Sequence, residues 1–141
     1  MIPTVATQNT SNTTPVISGT ATVAAGEILT VTVDGVTYTA GDGNLVDNGD
    51  GTFDLTVPTA LADATYPVTA TVIDAAGNVS TDVSTSELVI DTADPAVPTI
   101  NALITNIQTP VISGTTSIVA GETLSVAVNG CLLYTSDAAD E

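Results

Sequence analysis

The chain has no positively charged side chain. Its 141 residues include no lysine, arginine or histidine but 16 aspartate and glutamate residues, which gives a formal net charge of −16 at pH 7. Without histidine and lysine, the usual general bases and Schiff-base nucleophiles are missing. Without lysine and arginine, no side chain can neutralise phosphate groups, which excludes nucleic acid and anionic membrane surfaces as partners. The composition therefore predicts a protein that is not an enzyme and does not bind nucleic acid.

Aromatic residues, cysteine and long apolar runs are also scarce. Aromatic residues make up 3% of the chain, there is no tryptophan, and Cys131 is the single cysteine. No apolar run approaches the roughly 20 residues that span a bilayer, so we expect no membrane insertion. High charge with few aromatics is typical of disordered chains, but 43% hydrophobic residues in a regular pattern indicate a folded protein.

One segment occurs twice in the chain. Residues 14–35 read TPVISGTATVAAGEILTVTVDG, and residues 109–130 read TPVISGTTSIVAGETLSVAVNG, with 14 of the 22 positions identical. A self-match at a fixed offset indicates a repeat array, and an offset of 95 residues is about one small domain. We predict one module over residues 1–95 and the first part of a second module of the same type over residues 96–130. No signal peptide pattern opens the chain, and residues 2–5 (IPTV) align with residues 97–100 (VPTI) at the same offset, so we expect the chain to begin at a module boundary.

Alternating apolar and polar residues predict strands throughout the first module. In residues 28–34 (ILTVTVD), Leu29, Val31 and Val33 alternate with polar residues, the period of a half-buried strand. Turn signals separate such runs at intervals of roughly 8 to 12 residues, which is typical of an antiparallel β-sandwich. Residues 1–13 are interpreted as a linker-like lead-in. The seven predicted strands, A to G, are residues 14–18, 28–34, 36–40, 44–46, 52–57, 66–74 and 79–90.

The chain resembles a known family in four segments: TPVISGTA, LTVTVDG, YPVTATVIDAAGN and IDTADP. Together they resemble the bacterial immunoglobulin-like repeats of giant secreted adhesins, in particular the calcium-binding extender domains of type I-secreted, RTX-type surface proteins. The resemblance covers residues 1–130. It implies an all-β, seven-stranded antiparallel immunoglobulin-like β-sandwich, structural calcium, neighbouring modules of the same chain as partners, and a location outside the cell or on the bacterial surface.

Within this resemblance, the segment LADATY resembles the tyrosine corner of immunoglobulin folds. Tyr66 lies two residues before Val68, the position at which antibody domains carry a cysteine. The chain departs from antibody-type domains because it has no disulfide pair and no core tryptophan.

Several acidic residues are open to more than one interpretation. Asp47 and Asp50 could in principle form the carboxylate pair of a glycoside hydrolase, but a glycine-rich turn implies no cleft, so turn formation or ion binding is favoured. Asp74 and Asn78 in the DAAGN segment are consistent with a plain turn or with a calcium-binding loop. Glu27 is either a solvated surface acid or a ligand. The threonine-rich strand faces could bind ice or sugar, but threonine is common on any exposed strand.

Strand direction predicts where these acids lie. If strands A to G alternate in direction, the loops BC, DE and FG share one end of the sandwich, and the remaining connections share the other. The first end would hold Asp34, Asp47, Asp50, Asp74 and Asn78. The second end would hold Glu27, Asp42, Asp63, Asp91 and Asp94.

Acids gathered at both ends, with no basic residue to offset them, would lower stability unless a cation binds. Calcium takes 6–8 oxygen ligands. We therefore predict one structural calcium site at each junction between modules. There, Asp91 and Asp94 of one module would meet the equivalents of Asp74 and Asn78 in the next.

The last part of the chain is expected to differ from the first. Residues 96–130 contain equivalents of strands A and B only, and a lone hairpin is marginally stable in water. We therefore expect Ala96 to Glu141 to be disordered or loosely docked in solution. Residues 131–141 break the repeat, and CLLYTSDAAD is what a reading frame through a transposon-based sequencing adapter encodes. We interpret these residues as translated adapter and draw no redox inference from Cys131.

Three functions are consistent with the sequence. The first is a structural extender, or spacer, of a large bacterial adhesin, which the near-identical repeat favours. The second is a carbohydrate- or surface-binding module, and the third is an accessory domain of a secreted enzyme. An aromatic-lined surface would favour the second, and a catalytic domain elsewhere in the parent gene would favour the third.

Overall fold

The computed structural model describes residues 2–82, 84, 85 and 87–137, and all the regular structure in this part of the chain is β-strand. The chain divides into two compact units, Met1–Ala93 and Asp94–Glu141. No helix among the described residues is long and apolar enough to cross a membrane. The strands of the first unit are β1 (Thr4–Val5), β2 (Gln8–Thr10), β3 (Val16–Thr20), β4 (Ile28–Val33), β5 (Val36–Thr39), β6 (Leu45–Asp47), β7 (Thr52–Thr56), β8 (Ala64–Tyr66), β9 (Val68–Ile73), β10 (Val79–Thr81) and β11 (Leu88–Ile90).

The first unit is a sandwich of mainly antiparallel sheets. One sheet has the order β1-β3-β7-β6, a second has the order β10-β9-β4-β5, and β2-β11-β8 forms a third, shorter sheet. Most neighbouring strands are antiparallel, whereas β2 runs parallel to β11. The expected all-β, immunoglobulin-like sandwich is confirmed, and the strand count differs in detail.

Apolar residues from all three sheets form one core. The alternation predicted for residues 28–34 is confirmed, since Leu29, Val31 and Val33 are buried on β4. Phe53 and Leu55 on β7 have no exposed surface and pack in the same cluster. The buried hydrophobic residues of the core are Val5, Ile17, Ala21, Leu29, Val31, Val33, Tyr38, Leu45, Phe53, Leu55, Val57, Leu61, Val68, Ala70, Val72, Leu88 and Ile90.

The interpretation of residues 1–13 as a lead-in is wrong. They contain β1, which pairs with β3, and β2, which pairs with β11. Pro3 and Val5 are buried. These strands have two and three residues, too short for a period-two pattern to be visible. Two short strands therefore precede the segment that was predicted as strand A.

The predicted strand F is divided in two, and strand G, which was predicted as long and interrupted, is divided as well. The segment predicted as strand F is β8 and β9, separated by Pro67, which has no backbone N–H to donate. The segment predicted as strand G is β10 and β11, which lie in different sheets. Strand G therefore changes sheet between Thr81 and Leu88.

The second unit repeats the first part of the first unit. Its strands are β12 (Thr99–Ile100), β13 (Gly114–Thr115), β14 (Thr123–Val128) and β15 (Cys131–Asp137), paired as β12-β13 and β14-β15. Most of its described residues are exposed, and β14 has half-buried side chains at two positions among exposed ones. The strand β15 includes residues that we interpret from the sequence as translated adapter.

Candidate functional site

The predicted ligands of the first unit lie at its two ends. Glu27 lies at the end opposite to the one that we expected. In the ladder between β4 and β9, Ile28 pairs with Ile73 and Val33 pairs with Val68. Glu27 precedes β4 and Asp74 follows β9, so both lie at one end, while Asp34 lies at the opposite end. The expected positions of Glu27 and Asp34 are therefore wrong.

The cause is a break in the assumed alternation of strand direction. The expectation required every strand to run opposite to the one before it. The pairing registers instead make β5 and β6 run in the same direction, and the bridge between Ala40 and Leu45 is parallel. Relative to the strands after this break, the strands before it therefore run in the direction opposite to the expected one.

Glu27, Asp74 and Asn78 line one cavity of about 230 Å³. The loop of residues 21–27 forms one side of it, and the turn between β9 and β10 forms the other. The cavity is lined by Thr22, Ala24, Glu27, Val72, Asp74, Asn78, Val79 and Ser80. The structure thus brings together three of the predicted ligands, two carboxylates and one amide.

The Asp74 carboxylate organises the turn that follows β9. Its Oδ1 accepts hydrogen bonds from the backbone N–H groups of Ala76 and Asn78, both at 2.9 Å, and its Oδ2 accepts one from the Asn78 side chain at 2.8 Å. Hydrogen bonds from the Asn78 side chain and then from its backbone N–H are the main causes that lower the pKa of Asp74. Asp74 is therefore ionised at neutral pH and already holds its loop in a fixed conformation.

Asp47 and Asp50 lie at the same end, in the turn between β6 and β7. Thr20 pairs with Thr52, and the Ala21 N–H donates to the Gly51 carbonyl at 3.0 Å, which places this turn beside the loop of residues 21–27. The Oδ1 atoms of both aspartates accept hydrogen bonds within their own turn: Asp47 from Gly49 N–H at 3.0 Å, and Asp50 from Thr52 N–H at 3.0 Å. Both residues therefore form the turn.

Asp63 and Asp91 lie together at the opposite end. Both oxygens of Asp63 accept hydrogen bonds from the Thr92 hydroxyl, at 2.8 and 3.0 Å, and Oδ2 also accepts one from the Thr92 N–H at 3.0 Å. Asp91 Oδ1 accepts a hydrogen bond from the Ala93 N–H at 3.0 Å. The structure thus brings Asp63 next to Asp91, while Asp94 begins the second unit.

The expected tyrosine corner is present. The Tyr66 hydroxyl donates a hydrogen bond to the carbonyl of Ala62 at 2.8 Å. It thereby ties the end of β8 to the connection that follows β7, as in immunoglobulin folds.

Comparison with known families agrees with this geometry. A model of the bacterial Ig-like domain matches residues 5–92 of the chain, more than half of its 141 residues. The chain belongs to the bacterial Ig-like domain family. The matched residues begin within β1 and end just after β11, so they coincide with the complete sandwich. A search of the curated proteins found no match.

The ends of the bacterial Ig-like module have oxygen atoms suited to calcium. Carboxylate, amide and carbonyl oxygens are the ligands that calcium prefers. Among the described residues, no group of three or more acidic, histidine or cysteine side chains lies close enough to hold a metal. A carboxylate oxygen can accept more than one contact, so Glu27, Asp47 and Asp91 retain free capacity despite their turn hydrogen bonds. The donor chemistry fits calcium, provided that a neighbouring module or water supplies further ligands.

Two acidic residues of the bacterial Ig-like module escaped the sequence analysis. Asp82 and Glu87 are buried, with exposed fractions of 8% and 2%. Both lie in the segment that joins β10 to β11. The signal in the sequence was an acid directly before an apolar run, Glu87 before Leu88-Val89-Ile90. In the structure, Glu87 lies opposite Pro67, at the break between β8 and β9. Glu87 and Pro67 are brought together only by the pairing of β11 with β8.

Proposed function

We propose that this bacterial Ig-like module is a structural extender, one link in an array that forms part of a large cell-surface or secreted bacterial adhesin. We further propose that it is not catalytic and that calcium at the module ends stiffens the array. Domains of this family occur in surface-exposed bacterial proteins and are typically non-catalytic, which supports a location outside the cell.

The observation that carries the proposal is that the repeated sequence is also a repeated structure. In the first unit Thr4 pairs with Thr20 and Val5 with Gly19, and in the second Thr99 pairs with Thr115 and Ile100 with Gly114. All four positions are related by the same offset of 95 residues. The strands β4 and β14 share the same bounds at that offset.

The turns of the repeat match as closely as its strands. Glu27 Oε2 accepts a hydrogen bond from the Ala24 N–H at 2.7 Å, and Glu122 Oε2 accepts one from the Val119 N–H at 3.0 Å. The hairpin residues Asp34 and Asn129 both have positive φ, 49° and 52°. A unit that is copied so faithfully along one chain is suited to setting length.

The aromatic residues of the first unit give no support to a sugar-binding platform. Stacking of sugars requires exposed rings, whereas Phe53 has no exposed surface and Tyr38 is buried. Tyr66 is half-buried and its hydroxyl is held by Ala62. The spacer function is therefore favoured over a carbohydrate-binding module.

Calcium would bind where the acids gather. At one end, Glu27, Asp47, Asp50, Asp74 and Asn78 supply carboxylate and amide oxygens. At the other end, Asp63 and Asp91 supply carboxylates, and Asp94 follows three residues after Asp91 in the chain. The bound ion would offset negative charge that no lysine, arginine or histidine in this chain can offset. Because it would bind the folded state alone, calcium at 100 times its dissociation constant would add about 2.7 kcal/mol of stability.

The proposal is tested with a protein of two complete consecutive modules. Its thermal unfolding and its maximum dimension by small-angle X-ray scattering are measured with calcium and with a chelator. We expect calcium to raise the unfolding midpoint and to lengthen the particle. A matched variant, Asp34→Asn, removes one acid outside the proposed ligand set and should keep both responses. An unchanged midpoint and an unchanged dimension would refute the calcium-stiffened spacer.

A further inference from the structure

The segment that carries strand G from one sheet to another contains an unusual pair of buried acids. The pairing of β10 with β9 ends at Thr81 and Thr71, and the Asp82 N–H continues it by donating to the Ala70 carbonyl at 2.8 Å. The chain then leaves β9, and β11 pairs with β8 and β2 instead. Asp82 and Glu87 lie at the two ends of this change of sheet.

Glu87 replaces a missing strand partner. The described pairing of β10 with β9 ends before Val68, and Glu87 Oε2 accepts the hydrogen bond of the Val68 N–H at 2.9 Å. The Glu87 carbonyl in turn accepts a hydrogen bond from the Gln8 N–H at 2.6 Å. This fixes the backbone and one carboxylate oxygen of Glu87. The other oxygen, Oε1, is buried and has no hydrogen-bond partner within the described part of the chain.

Asp82 lies along the same edge of β9, because its N–H donates to the carbonyl of Ala70, two residues from Val68. Its Oδ1 and Oδ2 accept hydrogen bonds from the Ser84 hydroxyl at 2.8 and 2.9 Å, and Oδ1 also accepts one from the Ser84 N–H at 3.1 Å. The Ser84 side chain also lowers the pKa of Glu87. A hydroxyl has one proton to donate. Two buried carboxylates therefore lie along one edge of β9, and the single Ser84 hydroxyl proton cannot satisfy both.

At this position both the buried charge of Glu87 and the lack of a hydrogen-bond partner for its Oε1 atom are costly. Burial raises the pKa of Glu87, but hydrogen bonds from the Ser84 side chain and from the backbone N–H groups of Val68 and Glu87 outweigh it and hold the pKa below its usual value. Glu87 is therefore ionised at neutral pH. A buried charge is normally paired or coordinated to a metal, and this chain contains no lysine, arginine or histidine that could pair with it.

We propose that Asp82, Ser84 and Glu87 bind a calcium ion inside the module. The ligands would be Glu87 Oε1, the Asp82 carboxylate and the Ser84 hydroxyl oxygen, all of them the hard oxygen donors that calcium prefers. Ser84 and Thr85 are exposed, so the site is open on one side, where water molecules complete the coordination. The site joins the two halves of strand G, and it does not depend on the proposed calcium sites at the module ends.

The test is a calcium titration of the full 141-residue chain, followed by the NMR signal of the Val68 amide. This amide is a local reporter because it binds the same carboxylate as the ion. The variant Glu87→Gln keeps an oxygen for the Val68 N–H but removes the charge. Asp34→Asn is the matched control, since it also removes one charge and the repeat carries Asn129 at the equivalent hairpin position. Asp74→Asn separates this site from the module ends.

We expect calcium to shift the Val68 signal in the unaltered chain, in Asp34→Asn and in Asp74→Asn. In Glu87→Gln we expect calcium binding at this site to weaken at least tenfold. We also expect a reversal: Glu87→Gln unfolds at a higher temperature than the unaltered chain in chelator and at a lower temperature in saturating calcium. A Val68 signal that does not respond to calcium in the unaltered chain would overturn the proposal. So would equal destabilisation of Glu87→Gln in both conditions, which would mean that the carboxylate only holds the backbone.

If Glu87→Gln does not fold, Asp82→Asn replaces it. An undiminished calcium response of Val68 in Asp82→Asn would then contradict the site. Calcium stiffening of a two-module protein is a separate measurement, so either proposal can fail while the other stands.

Discussion

A single hydroxyl group ties the end of β8 to the connection that follows β7. The Tyr66 hydroxyl donates to the Ala62 carbonyl at 2.8 Å, and a hydrogen bond of this kind contributes about 1 kcal/mol. We expect Tyr66→Phe to lower the free energy of unfolding by about 1 kcal/mol in urea denaturation. Tyr38→Phe is the matched control, because the Tyr38 hydroxyl makes no hydrogen bond within the described residues, and it should cost less. Equal effects of the two variants would contradict this role.

Three aspartates make stability depend on acid pH. Hydrogen bonds from the Thr52 hydroxyl and N–H lower the pKa of Asp50. Hydrogen bonds from the Ser18 hydroxyl and the Asn48 amide lower the pKa of Asp54. Hydrogen bonds from Asn78 lower the pKa of Asp74. Since their folded pKa values lie below the usual aspartate value of 3.8, the ionised forms stabilise the fold. That stability is complete above the unfolded pKa and is lost as the pH falls through the folded pKa.

The measurement is urea denaturation between pH 5 and about pH 2.5, in the unaltered chain and in Asp54→Asn. Protonation of the other acids relieves charge repulsion and acts in the opposite direction, so the comparison isolates one group. The introduced asparagine can still accept a hydrogen bond from Ser18 but does not titrate. We expect the variant to lose less stability on acidification than the unaltered chain. A greater loss in the variant would show that the pKa shift has the opposite sign.

At the scale of the strand, Gly19 explains why the VISGT segment is repeated. A Cβ at Gly19 would overlap the Thr4 carbonyl oxygen of β1 and would lie 2.5 Å from Cζ of Phe53. At Gly114 the same atom would overlap the Thr99 carbonyl oxygen. Only glycine lets β1 pair so closely with β3.

We therefore expect Gly19→Ala to destabilise the first unit by about 3 kcal/mol, the upper part of the range for overpacking, with loss of the pairing between β1 and β3. Thermal unfolding followed by circular dichroism measures the effect. Gly114→Ala makes the same change in the second copy and should leave the unfolding midpoint of the first unit unchanged. A midpoint within about 1 °C of the unaltered chain for Gly19→Ala would show that β1 is not held in this register, since 1 kcal/mol shifts the midpoint of such a domain by roughly 4–8 °C.

Within residues 94–137, which the structure describes in the second unit, no strands equivalent to β6–β11 cover β14. In the first unit Val68 and Val72 are buried, whereas Leu124 and Val126 are half-buried and Val128 is exposed. Amides in poorly covered strands open with low free energy. We expect hydrogen–deuterium exchange at Leu124, Val126 and Val128 to be much faster than at Val68 and Val72. Equal protection of the two groups would show that residues 96–141 fold stably without the missing strands.

Sequence periodicity predicted the long strands well and the short ones poorly. The positions of Leu29, Val31 and Val33 follow directly from alternation over six residues of β4. The strands β1 and β2 are too short to alternate, and their partners lie far away in the chain. The direction of a three-residue strand such as β6 is equally invisible in the sequence, and assuming that it reverses β5 moved Glu27 to the wrong end of the sandwich.

The candidate sites depend on pairings that the sequence does not state. The grouping of Asp74 with Asn78 could be predicted because both lie in one turn. The proximity of Glu27 to them, and of Glu87 to Val68, depends on which strands are neighbours. Local acid patterns therefore identified turn residues, while the buried pair Asp82 and Glu87 required the change of sheet in strand G.

At the scale of the whole molecule, the charge distribution determines what the chain needs from its surroundings. A formal charge of −16 with no cationic side chain means that every long-range interaction between side-chain charges is repulsive. Screening by salt acts over about 10 Å at 0.1 M, but a bound divalent cation also supplies direct ligand contacts. An array of such modules is therefore expected to depend on calcium for its stiffness more than on ionic strength.

The length of arrays with increasing numbers of complete modules tests this account most directly. Proteins of two, four and six modules are measured by small-angle X-ray scattering, with calcium and with chelator at matched ionic strength. The account predicts that the maximum dimension rises linearly with module number in calcium, as in a rod, and less than linearly in chelator, as in a flexible chain. A less than linear rise in calcium, or the same linear rise in both conditions, would contradict the calcium-stiffened spacer.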